Sequence, residues 1–573
     1  MPSSTPFPSR EALAKELKEG NHCLPVLCAA MVAAAVFLLL ATGGAGYYQD
    51  ELSFIYSRSD FGTAILMPYV DSLIAIPLLI YQGAFGIFGL GSAHLPIRLI
   101  WVAEILACSL LLFLYLRRRT LAWFAFLPAC VLLVFDAAWT DQVTTLGLIA
   151  LSSVTPALGS LVALDRRTLR GDVWAAALLT LALVAFSASL PFAVGVAVTV
   201  VLRGPPDRLH RAWIWLAPLA IYGLWAVWAH LTYPGSPADL ANVAKVPGSL
   251  LTGVSSAIAG LAGLYTTDEA GRFTGLNHHA AVPAALLLAA LGVLLAVRRR
   301  LPREALVGLS MLLTYWVIVA LVTSPVRGAT TDRYQYVGAV LLVITLAPVV
   351  GRRSPPPLAW AGIGALFVWF SLVPNIRSLS QAASSVEQVT DETRAGLTAL
   401  EVARDSVRPD FDASAQWPGI PGGLYLPGAA GSYLAAVHAH GSPAFTPEEL
   451  LHQDPEVRQV ADVVLVHALQ LSMRPAGSAS HDSNPTLCSP ARQWPGTASV
   501  LPVAGGQQVR LGSAARGGAE IEAARFGDGP GVSVGRVGAG QRGVLSIPRD
   551  RAPQPWRLRV RGARVLELCG AGA

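Results

Sequence analysis

The sequence contains little charge and almost no lysine. Charged residues make up 14% of its 573 residues, against about a quarter in soluble proteins, and hydrophobic residues make up 53%. Only Lys15, Lys18 and Lys245 are lysines, and the arginines form no stripe with interleaved aromatic residues. The composition excludes an ordinary soluble protein and argues against a nucleic-acid partner. Together with abundant Ala, Gly and Pro, the preference for arginine is typical of a GC-rich bacterial genome.

The sequence also lacks the motifs of several enzyme classes. It has no Walker A loop, no Rossmann fingerprint, no serine-nucleophile elbow and no HExxH zinc motif. This argues against a nucleotide-driven pump and suits an enzyme whose donor substrate is already activated. Cysteine is scarce too, with six residues, of which Cys488 and Cys569 bracket a β-rich region. If that region lies on the oxidising side of the membrane, these two could form a disulfide.

Long apolar stretches are the dominant feature of the first two thirds of the chain. A bilayer is crossed by about 20 apolar residues. Eleven stretches approach or reach this length: 24–45, 97–116, 120–136, 143–163, 173–188, 190–202, 212–232, 281–297, 304–322, 336–350 and 358–373. Two more, 73–90 and 248–266, are interrupted by Gly, Pro or Ser and are expected to lie at the outer interface or re-enter the membrane.

Arginine clusters between these stretches set the predicted orientation. Basic residues concentrate in cytoplasmic loops of membrane proteins. With the N-terminus inside, eleven spans put every cluster on the cytoplasmic side and everything after about residue 374 outside. The clusters begin at Arg117, Arg166, Arg203, Arg298 and Arg352.

The composition changes after the last apolar stretch. Residues 378–408 have the periodicity of an amphipathic helix, and from about 500 short alternating segments separated by glycine predict strands. The sequence thus predicts an all-α membrane bundle of about 11 transmembrane helices with a C-terminal extracytoplasmic α+β or β-sandwich domain. The predicted parts are, in order, a cytoplasmic segment 1–23, a transmembrane domain 24–373 with a first outer loop 46–97, an amphipathic helical linker 374–410, and an extracytoplasmic domain 411–573.

Two adjacent acids, Asp50 and Glu51, follow the first apolar stretch in "YYQDELSF". From the residues alone they could mark the lipid boundary, bind a cation or form the catalytic pair of a membrane enzyme. The same loop continues with "IPLLIYQGAFGIFGLG" and "HLPIRLIW", and "TTDRYQYVGAVLLV" begins a later stretch. These motifs, in this order, resemble those of the GT-C glycosyltransferases, polytopic enzymes that use polyprenyl-phosphate-linked sugars, such as protein O-mannosyltransferases and lipid A aminoarabinose transferases. The resemblance covers about 46–120 and reappears at 330–343.

The resemblance implies roles for the acidic pair. Asp50 would be the catalytic base, which takes the proton from an acceptor hydroxyl while its oxygen attacks C1 of the donor sugar. A single displacement of this kind inverts the configuration at C1. Glu51 would support Asp50 or, with it, bind a divalent cation, the one cofactor that the sequence suggests without establishing.

Three basic residues near the outer ends of spans are candidates for the donor phosphate: Arg333, Arg98 and His278. Arginine can hold phosphate through two parallel hydrogen bonds. The alternative is that such arginines only reach ordinary lipid headgroups.

Three further acids are candidates for the acceptor site or cavity. Asp71 precedes the interfacial stretch 73–90, where it could instead cap a helix. Asp141 lies with Asp136 in "FDAAWTDQ" and could instead be a solvated loop residue. Glu104 lies inside the second span, where a carboxylate is costly and indicates function unless it is protonated or paired.

The predicted function is an inverting glycosyltransferase in the bacterial cytoplasmic membrane. It would move a sugar from a polyprenyl-phosphate donor to a cell-envelope glycan, lipid or protein on the outer face, with membrane lipids as its other partners. Two alternatives stay open: a transporter or flippase for the lipid-linked sugar, and a non-catalytic envelope-assembly protein on the same scaffold.

Overall fold

The computed structural model describes most of the chain and is mainly helical. The described residues are 22–56, 61–203, 207–233, 240–267, 273–276, 302–323, 328–350, 362, 364, 366–413, 428–475, 492–493, 498–512, 518–561 and 565–570. Four predictions fall on residues outside these ranges: most of segment 1–23, span 281–297, His278 and Cys488. The side chain of Cys569 is also outside the description, so the predicted disulfide stays a prediction.

Nineteen helices are numbered here along the described residues. They are α1 (Cys23–Ala41), α2 (Asp50–Tyr56), α3 (Phe61–Leu66), α4 (Ala75–Phe88), α5 (Leu90–Leu116), α6 (Ala122–Leu132), α7 (Trp139–Val143), α8 (Gly147–Leu164), α9 (Leu169–Ala185), α10 (Leu190–Leu202), α11 (Asp207–His210), α12 (Trp213–Thr232), α13 (Val246–Leu261), α14 (Arg303–Leu321), α15 (Gln335–Val350), α16 (Val373–Val402), α17 (Ala430–His440), α18 (Pro447–Leu451) and α19 (Pro455–Ala468). Short 3-10 turns lie at Asp136–Ala138, Ser187–Ser189, Leu240–Lys245 and Asp332–Tyr334, and a π-helical turn lies at Val368–Leu372.

Six helices of the described residues are long and apolar enough to cross a bilayer, which makes this a multi-pass membrane protein. They are α1, α5, α8, α12, α14 and the segment Asp332–Val350. A seventh span results if α6 and Asp136–Val143, which meet at a bend of 43°, are counted as one. Helix α8 is 94% buried and lies at the centre, whereas α1 and α12 are 22% buried and expose leucines such as Leu40 and Leu224, as expected for contact with lipid.

The predicted count of eleven spans is not confirmed. Stretches 173–188 and 190–202 form α9 and α10, whose 17 and 13 residues extend only about 26 and 20 Å, less than the hydrocarbon core of a bilayer. Stretch 120–136 becomes part of the bent pair. The last predicted span, 358–373, is described only in part.

The two interrupted apolar stretches also form short helices. Stretch 73–90 becomes α4, with 14 residues, and stretch 248–266 becomes α13, with 16. A two-stranded hairpin, β1 (Tyr265–Thr267) with β2 (Phe273–Leu276), follows α13. Neither helix has the length of a full span, and their interfacial or re-entrant position stays a prediction.

The chain divides into two compact units that do not follow the order of the sequence. The first unit contains Met1–Gly44, Asp60–Ala84 and Leu95–Val386, and the second contains Ala45–Ser59, Phe85–His94 and Glu387–Ala573. Two parts of the predicted first outer loop therefore fold with the C-terminal residues. One of them carries the acidic pair.

The C-terminal residues form two antiparallel sheets, close to where strands were predicted. Their strands are β3 (Arg474–Pro475), β4 (Arg492–Gln493), β5 (Ala498–Val503), β6 (Gln507–Gly512), β7 (Ala519–Ala524), β8 (Val532–Val537), β9 (Arg542–Ser546), β10 (Trp556–Arg561) and β11 (Val565–Gly570). One sheet has the order β5-β10-β7-β8 and the other β3-β9-β6-β11-β4. In β10 the residues Trp556, Leu558 and Val560 are buried and alternate with arginines, the period of two that a one-sided strand requires.

Candidate functional site

Asp50 and Glu51 form the first turn of α2, and their side chains differ sharply in environment. Glu51 is completely buried, and its Oε2 accepts the backbone N–H of Tyr48 at 2.6 Å. This bond closes the bend before the helix, in which Gln49 has a left-handed backbone with φ of 39°. Asp50 is half-buried at the helix N-terminus, where the helix dipole favours its negative charge.

The segment that precedes α2 is held by hydrogen bonds to other residues of the second unit. The backbone N–H of Gly46 donates to Oγ1 of Thr390 in α16 at 3.0 Å. The Tyr47 hydroxyl donates to the carbonyl of Leu90 at 2.8 Å, and its ring makes edge contacts with Phe85 and His94. Burial, and secondarily the charge of Glu51, raises the pKa of Tyr47, so the hydroxyl remains a donor.

The other end of α2 is held by a second group of tyrosines. The Tyr56 ring packs against that of Tyr433 in α17, with 5.4 Å between centroids. The Tyr433 hydroxyl and the Ser442 hydroxyl each donate to Oε1 of Glu401 at 2.6 Å. Both ends of the short helix that carries the acidic pair are therefore fixed by residues from the C-terminal part of the chain.

Arg98 lies in the first unit, where its side chain donates hydrogen bonds to two backbone carbonyl groups. Its Nη2 donates to the carbonyl of Leu39 at 2.6 Å and its Nη1 to that of Gly43 at 3.3 Å. These carbonyls end α1, where a cation compensates the free carbonyl groups and the negative end of the helix dipole. The side chain is 7% exposed, so this position has a structural reason for arginine, and donor-phosphate binding by Arg98 stays a prediction.

The structure brings Asp141 and Arg333 together in the first unit. Asp332 and Arg333 are the charged groups that act on the Asp141 carboxylate. The Thr140 hydroxyl donates to the Asp332 carboxylate, and the Tyr315 hydroxyl donates to the carbonyl of Tyr334 at 2.9 Å, which holds the turn that carries both charged residues.

The backbone around Asp141 is held from two sides. Trp101 Nε1 of α5 donates to the Asp141 carbonyl at 2.9 Å, and α8 starts so close that a Cβ at Gly147 would lie 2.1 Å from the same oxygen. The Asp141 side chain is 4% exposed, and its Oδ2 has no hydrogen-bond partner among the described residues. An isolated buried carboxylate next to an arginine is a common feature of functional sites.

Asp71 and Asp136 lie in different environments. Asp71 is exposed in a tight turn between Tyr69 and Ser72, with a φ of 61° that aspartate tolerates better than most residues. Asp136 is fully buried, and its backbone N–H donates to Oδ1 of Asn375 at 2.8 Å. Their roles in catalysis stay predictions.

Glu104 is half-buried in α5, among the spanning helices. The Thr155 hydroxyl of α8 donates to its backbone carbonyl at 3.4 Å. Glu104, Cys108 and Asp141 are the ionisable neighbours of the buried Tyr336 hydroxyl. The role of Glu104 in the cavity stays a prediction.

Two residues of the Asp141 cluster are missed by sequence reasoning. Thr140 and Asp332 were not singled out, although "TTDRYQY" contains Asp332 beside Arg333 and "AWTDQ" contains Thr140 beside Asp141. Their hydrogen bond joins segments 192 positions apart, and a pattern among neighbouring residues cannot predict such a contact. The described residues include no group of three or more His, Cys, Asp and Glu placed to hold a metal ion.

No protein-family model matches the sequence, and no curated protein is similar to it. Among solved structures, ArnT from Cupriavidus metallidurans in the apo state is 14% identical, with a TM-score of 0.44 over 79% of this chain and 96% of that chain. ArnT bound to undecaprenyl phosphate is 15% identical, with a TM-score of 0.40 over the same shares of the two chains. Arabinosyltransferase EmbB from Mycobacterium smegmatis is 12% identical, with a TM-score of 0.30 over 94% of this chain and 64% of EmbB.

The two similar proteins are GT-C glycosyltransferases, and ArnT is a lipid A aminoarabinose transferase. At these identities and TM-scores no residue role passes from either protein to this chain. The roles of individual residues rest on the contacts described above.

Proposed function

We propose that the protein is an inverting glycosyltransferase of the GT-C type that uses a polyprenyl-phosphate-linked sugar. The observation that carries the proposal is the placement of Asp50. It lies in the first turn of α2, the helix that follows the first apolar helix, and is next in sequence to the buried Glu51. The three loop motifs that resemble those of GT-C enzymes occur around it in the same order.

In the proposed reaction, Asp50 takes the proton of an acceptor hydroxyl. The acceptor oxygen then bonds to C1 of the donor sugar while the bond from C1 to the phosphate oxygen breaks, and its electron pair leaves with polyprenyl phosphate. Because one displacement occurs, the configuration at C1 inverts. No step passes through a metal ion, and the Glu51 oxygen that accepts the Tyr48 N–H supports the bend rather than the substrate.

Arg333 is the preferred contact for the donor phosphate. It is half-buried in a turn held by the Tyr315 hydroxyl, and two carboxylates, Asp141 and Asp332, share its surroundings. A guanidinium fixed in this way can neutralise the leaving phosphate without reorganising. Asp141, whose Oδ2 is unpartnered among the described residues, is the second candidate for a direct role in the reaction.

The proposed location is the outer face of a bacterial cytoplasmic membrane, with the C-terminal residues extracytoplasmic. The arginine clusters of the sequence support this orientation by the positive-inside rule. A donor that is already lipid-linked suits this side, where nucleotide sugars are absent. The acceptor would be a glycan, lipid or protein of the cell envelope.

The proposal is tested by replacing the carboxylate without changing its shape. Purified full-length protein, given a panel of polyprenyl-phosphate sugars and an envelope extract as acceptor, is assayed for release of polyprenyl phosphate. Asp50→Asn is expected to lower the rate by at least about 100-fold, the usual loss of a general base, with unchanged thermal unfolding. Asp410→Asn is the matched control, since Asp410 is an exposed acid of the same unit that pairs with Arg408.

Three results would contradict the proposal. Retained activity in Asp50→Asn would exclude Asp50 as the base, and equal losses in both variants would show a general effect of charge. Movement of intact lipid-linked sugar across a bilayer, without release of polyprenyl phosphate, would favour the alternative of a flippase.

A further inference from the structure

The four-stranded sheet of the second unit has one face rich in charged side chains. On β10 the side chains of Arg557, Arg559 and Arg561 point away from the buried Trp556, Leu558 and Val560 and therefore share this face. The neighbouring strand β7 contributes Glu522, which lies across from Arg559 and pairs with Arg561 at 3.2 Å, and Glu520, which lies across from Arg561. On these two strands the arginines outnumber the acids by one.

One end of this face contains a concave site of about 80 Å³ that is partly open to solvent. It is lined by Arg557, Arg559, Asp528 and Val500, together with small residues between Ala524 and Gly531. The volume is well below that of typical small-molecule sites and suits one anionic group rather than a whole sugar ring. Small residues leave backbone and arginine groups accessible to a ligand.

The floor of the site is held rigid by a buried acid. Asp462 of α19 is 2% exposed, and its carboxylate accepts three backbone N–H groups, those of Arg525 and Phe526 on Oδ1 and that of Gly527 on Oδ2, at 2.8–2.9 Å. These bonds fix the chain that leads from β7 to Asp528. A site whose backbone is held in this way is preorganised for a ligand.

The two arginines of the site are not equally engaged. Arg557 donates to Asp528 Oδ1 at 2.8 Å and to the Gly527 carbonyl, and Arg458 donates to Asp528 Oδ2 at 2.7 Å. These hydrogen bonds hold the pKa of Asp528 below its usual value, so the acid stays ionised and is neutralised by two guanidinium groups.

Arg559 forms an ion pair with Glu522 but makes no hydrogen bond with the described residues. The nearest carboxylate oxygen, Glu522 Oε2, lies 3.8 Å from its Nη1, beyond hydrogen-bond length, and a third of the Arg559 side chain is exposed. Its fork of N–H donors is therefore available at the wall of the site. Such a fork matches the two oxygens of a carboxylate or phosphate.

We propose that this site binds the anionic group, a carboxylate or a phosphate, of an anionic sugar. Arg559 holds this group through N–H donors that make no hydrogen bond with the described residues, Arg557 is positioned beside it by Asp528, and the sugar ring lies outside the concave site, over Val500. The site would give the protein a second contact with envelope glycans, independent of the transferase reaction proposed above.

The ligand class is tested by calorimetric titration of the detergent-solubilised full-length protein. The probes are D-glucuronate, glucose 1-phosphate and neutral glucose at the same ionic strength. At least one anionic probe is expected to bind saturably, and glucose at least about tenfold more weakly. The tighter of the two anions identifies the carboxylate or the phosphate as the recognised group. Absence of saturable binding by both anions, or equal binding of glucose, would overturn the proposal.

Variants locate the binding on this site. Arg559→Gln is expected to weaken the anionic probe at least about tenfold. Arg536→Gln, the same change at an exposed position of β8 outside the site, is expected to alter the affinity less than about twofold. Val500→Asp adds a carboxylate opposite Arg559 while both arginines remain, and is expected to abolish binding. Unchanged affinity in Arg559→Gln, or equal losses in Arg559→Gln and Arg536→Gln, would contradict the assignment.

Discussion

At the scale of single residues, the neighbours Asp50 and Glu51 differ in burial and in hydrogen bonding. Glu51 is buried and bonded to the backbone of Tyr48, whereas Asp50 is half-buried at the start of α2. From the sequence they were two acids at a predicted membrane surface, with Glu51 as a support for Asp50. The Glu51 hydrogen bond closes the bend before the helix, and the support of Asp50 by Glu51 stays a prediction.

The hydrogen bond of Glu51 predicts different losses of stability for two substitutions of this residue. Glu51→Ala leaves the buried Tyr48 N–H without an acceptor and should lower the free energy of unfolding by about 2 kcal/mol, whereas Glu51→Gln keeps an oxygen acceptor and should lower it by less than about 1 kcal/mol. Thermal unfolding of the purified protein measures both. A stable Glu51→Ala variant would show that this bond does not hold the bend.

A titrating residue in α16 gives a prediction about pH. Burial raises the pKa of Asp391 to about 6, Arg394 opposes this, and Glu387 and Asp454 add to it. Because the folded value exceeds that of the unfolded chain, the folded state binds the proton more tightly, and this stabilisation is present below about pH 4 and lost as pH rises through 6. The ionised group is thus the unfavourable form in the folded protein.

Asp391→Asn removes this ionisation. Its melting temperature should exceed that of the wild type at pH 7.5 and equal it at pH 4.5, when the wild-type residue is protonated. The measurement is the difference between the two melting temperatures at each pH. A variant less stable than the wild type at pH 7.5 would show that the ion pair with Arg394, 3.6 Å apart, outweighs the cost of burial.

At the scale of elements, the junction between α4 and α5 depends on two glycines. Gly89 has a φ of 71°, and a Cβ there would lie 2.8 Å from the His440 carbonyl oxygen, while a Cβ at Gly91 would lie 2.7 Å from that of Ser442. The two backbones therefore approach more closely than any side chain permits. This contact lies wholly within the second unit.

Gly91→Ala should separate these segments and lower the melting temperature by several degrees. Gly86→Ala is the matched control, because it lies inside α4 with nothing within 4 Å of its Cβ and should be neutral or stabilising by up to about 1 kcal/mol. Limited proteolysis between α4 and α5 provides a second readout. Equal melting temperatures for the two variants would contradict the close approach.

Elements with a clear local pattern could be predicted from the sequence. The stretch 73–90 becomes α4, the amphipathic stretch 378–408 lies mostly within α16, and strands begin at Ala498, near the predicted residue 500. Periodicity and glycine punctuation carry this information within a few neighbouring residues. The count of eleven spans is not confirmed, because the apolar stretches 173–188 and 190–202 form helices of 17 and 13 residues, shorter than a typical span.

Contacts between distant segments could not be predicted. Gly46 and Thr390 are 344 positions apart, and Thr140 and Asp332 are 192 positions apart. Neither pair leaves a periodic trace in the chain, since a hydrogen bond between two small polar groups places no demand on the residues around them. The candidate site was therefore predicted as separate residues, and Thr140 and Asp332 were absent from it.

At the scale of the whole molecule, the acidic pair belongs to the same compact unit as the C-terminal sheets. The segment Ala45–Ser59 enters this unit directly after α1, and Phe85–His94 enters it at the start of α5. Under the proposed function, this grouping would link the C-terminal residues to the position of the proposed base, Asp50. The sequence contains no sign of this grouping, because each segment is local to the first outer loop.

The central claim is that the protein breaks the bond between a sugar and polyprenyl phosphate. The most direct measurement reconstitutes the full-length protein in liposomes with a radiolabelled polyprenyl-phosphate sugar and an envelope acceptor, and follows lipid and sugar separately. The account predicts that free polyprenyl phosphate and acceptor-linked sugar appear in equal amounts and that Asp50→Asn abolishes both. Labelled sugar that crosses the bilayer still attached to its lipid, at the same rate in wild type and Asp50→Asn, would contradict it.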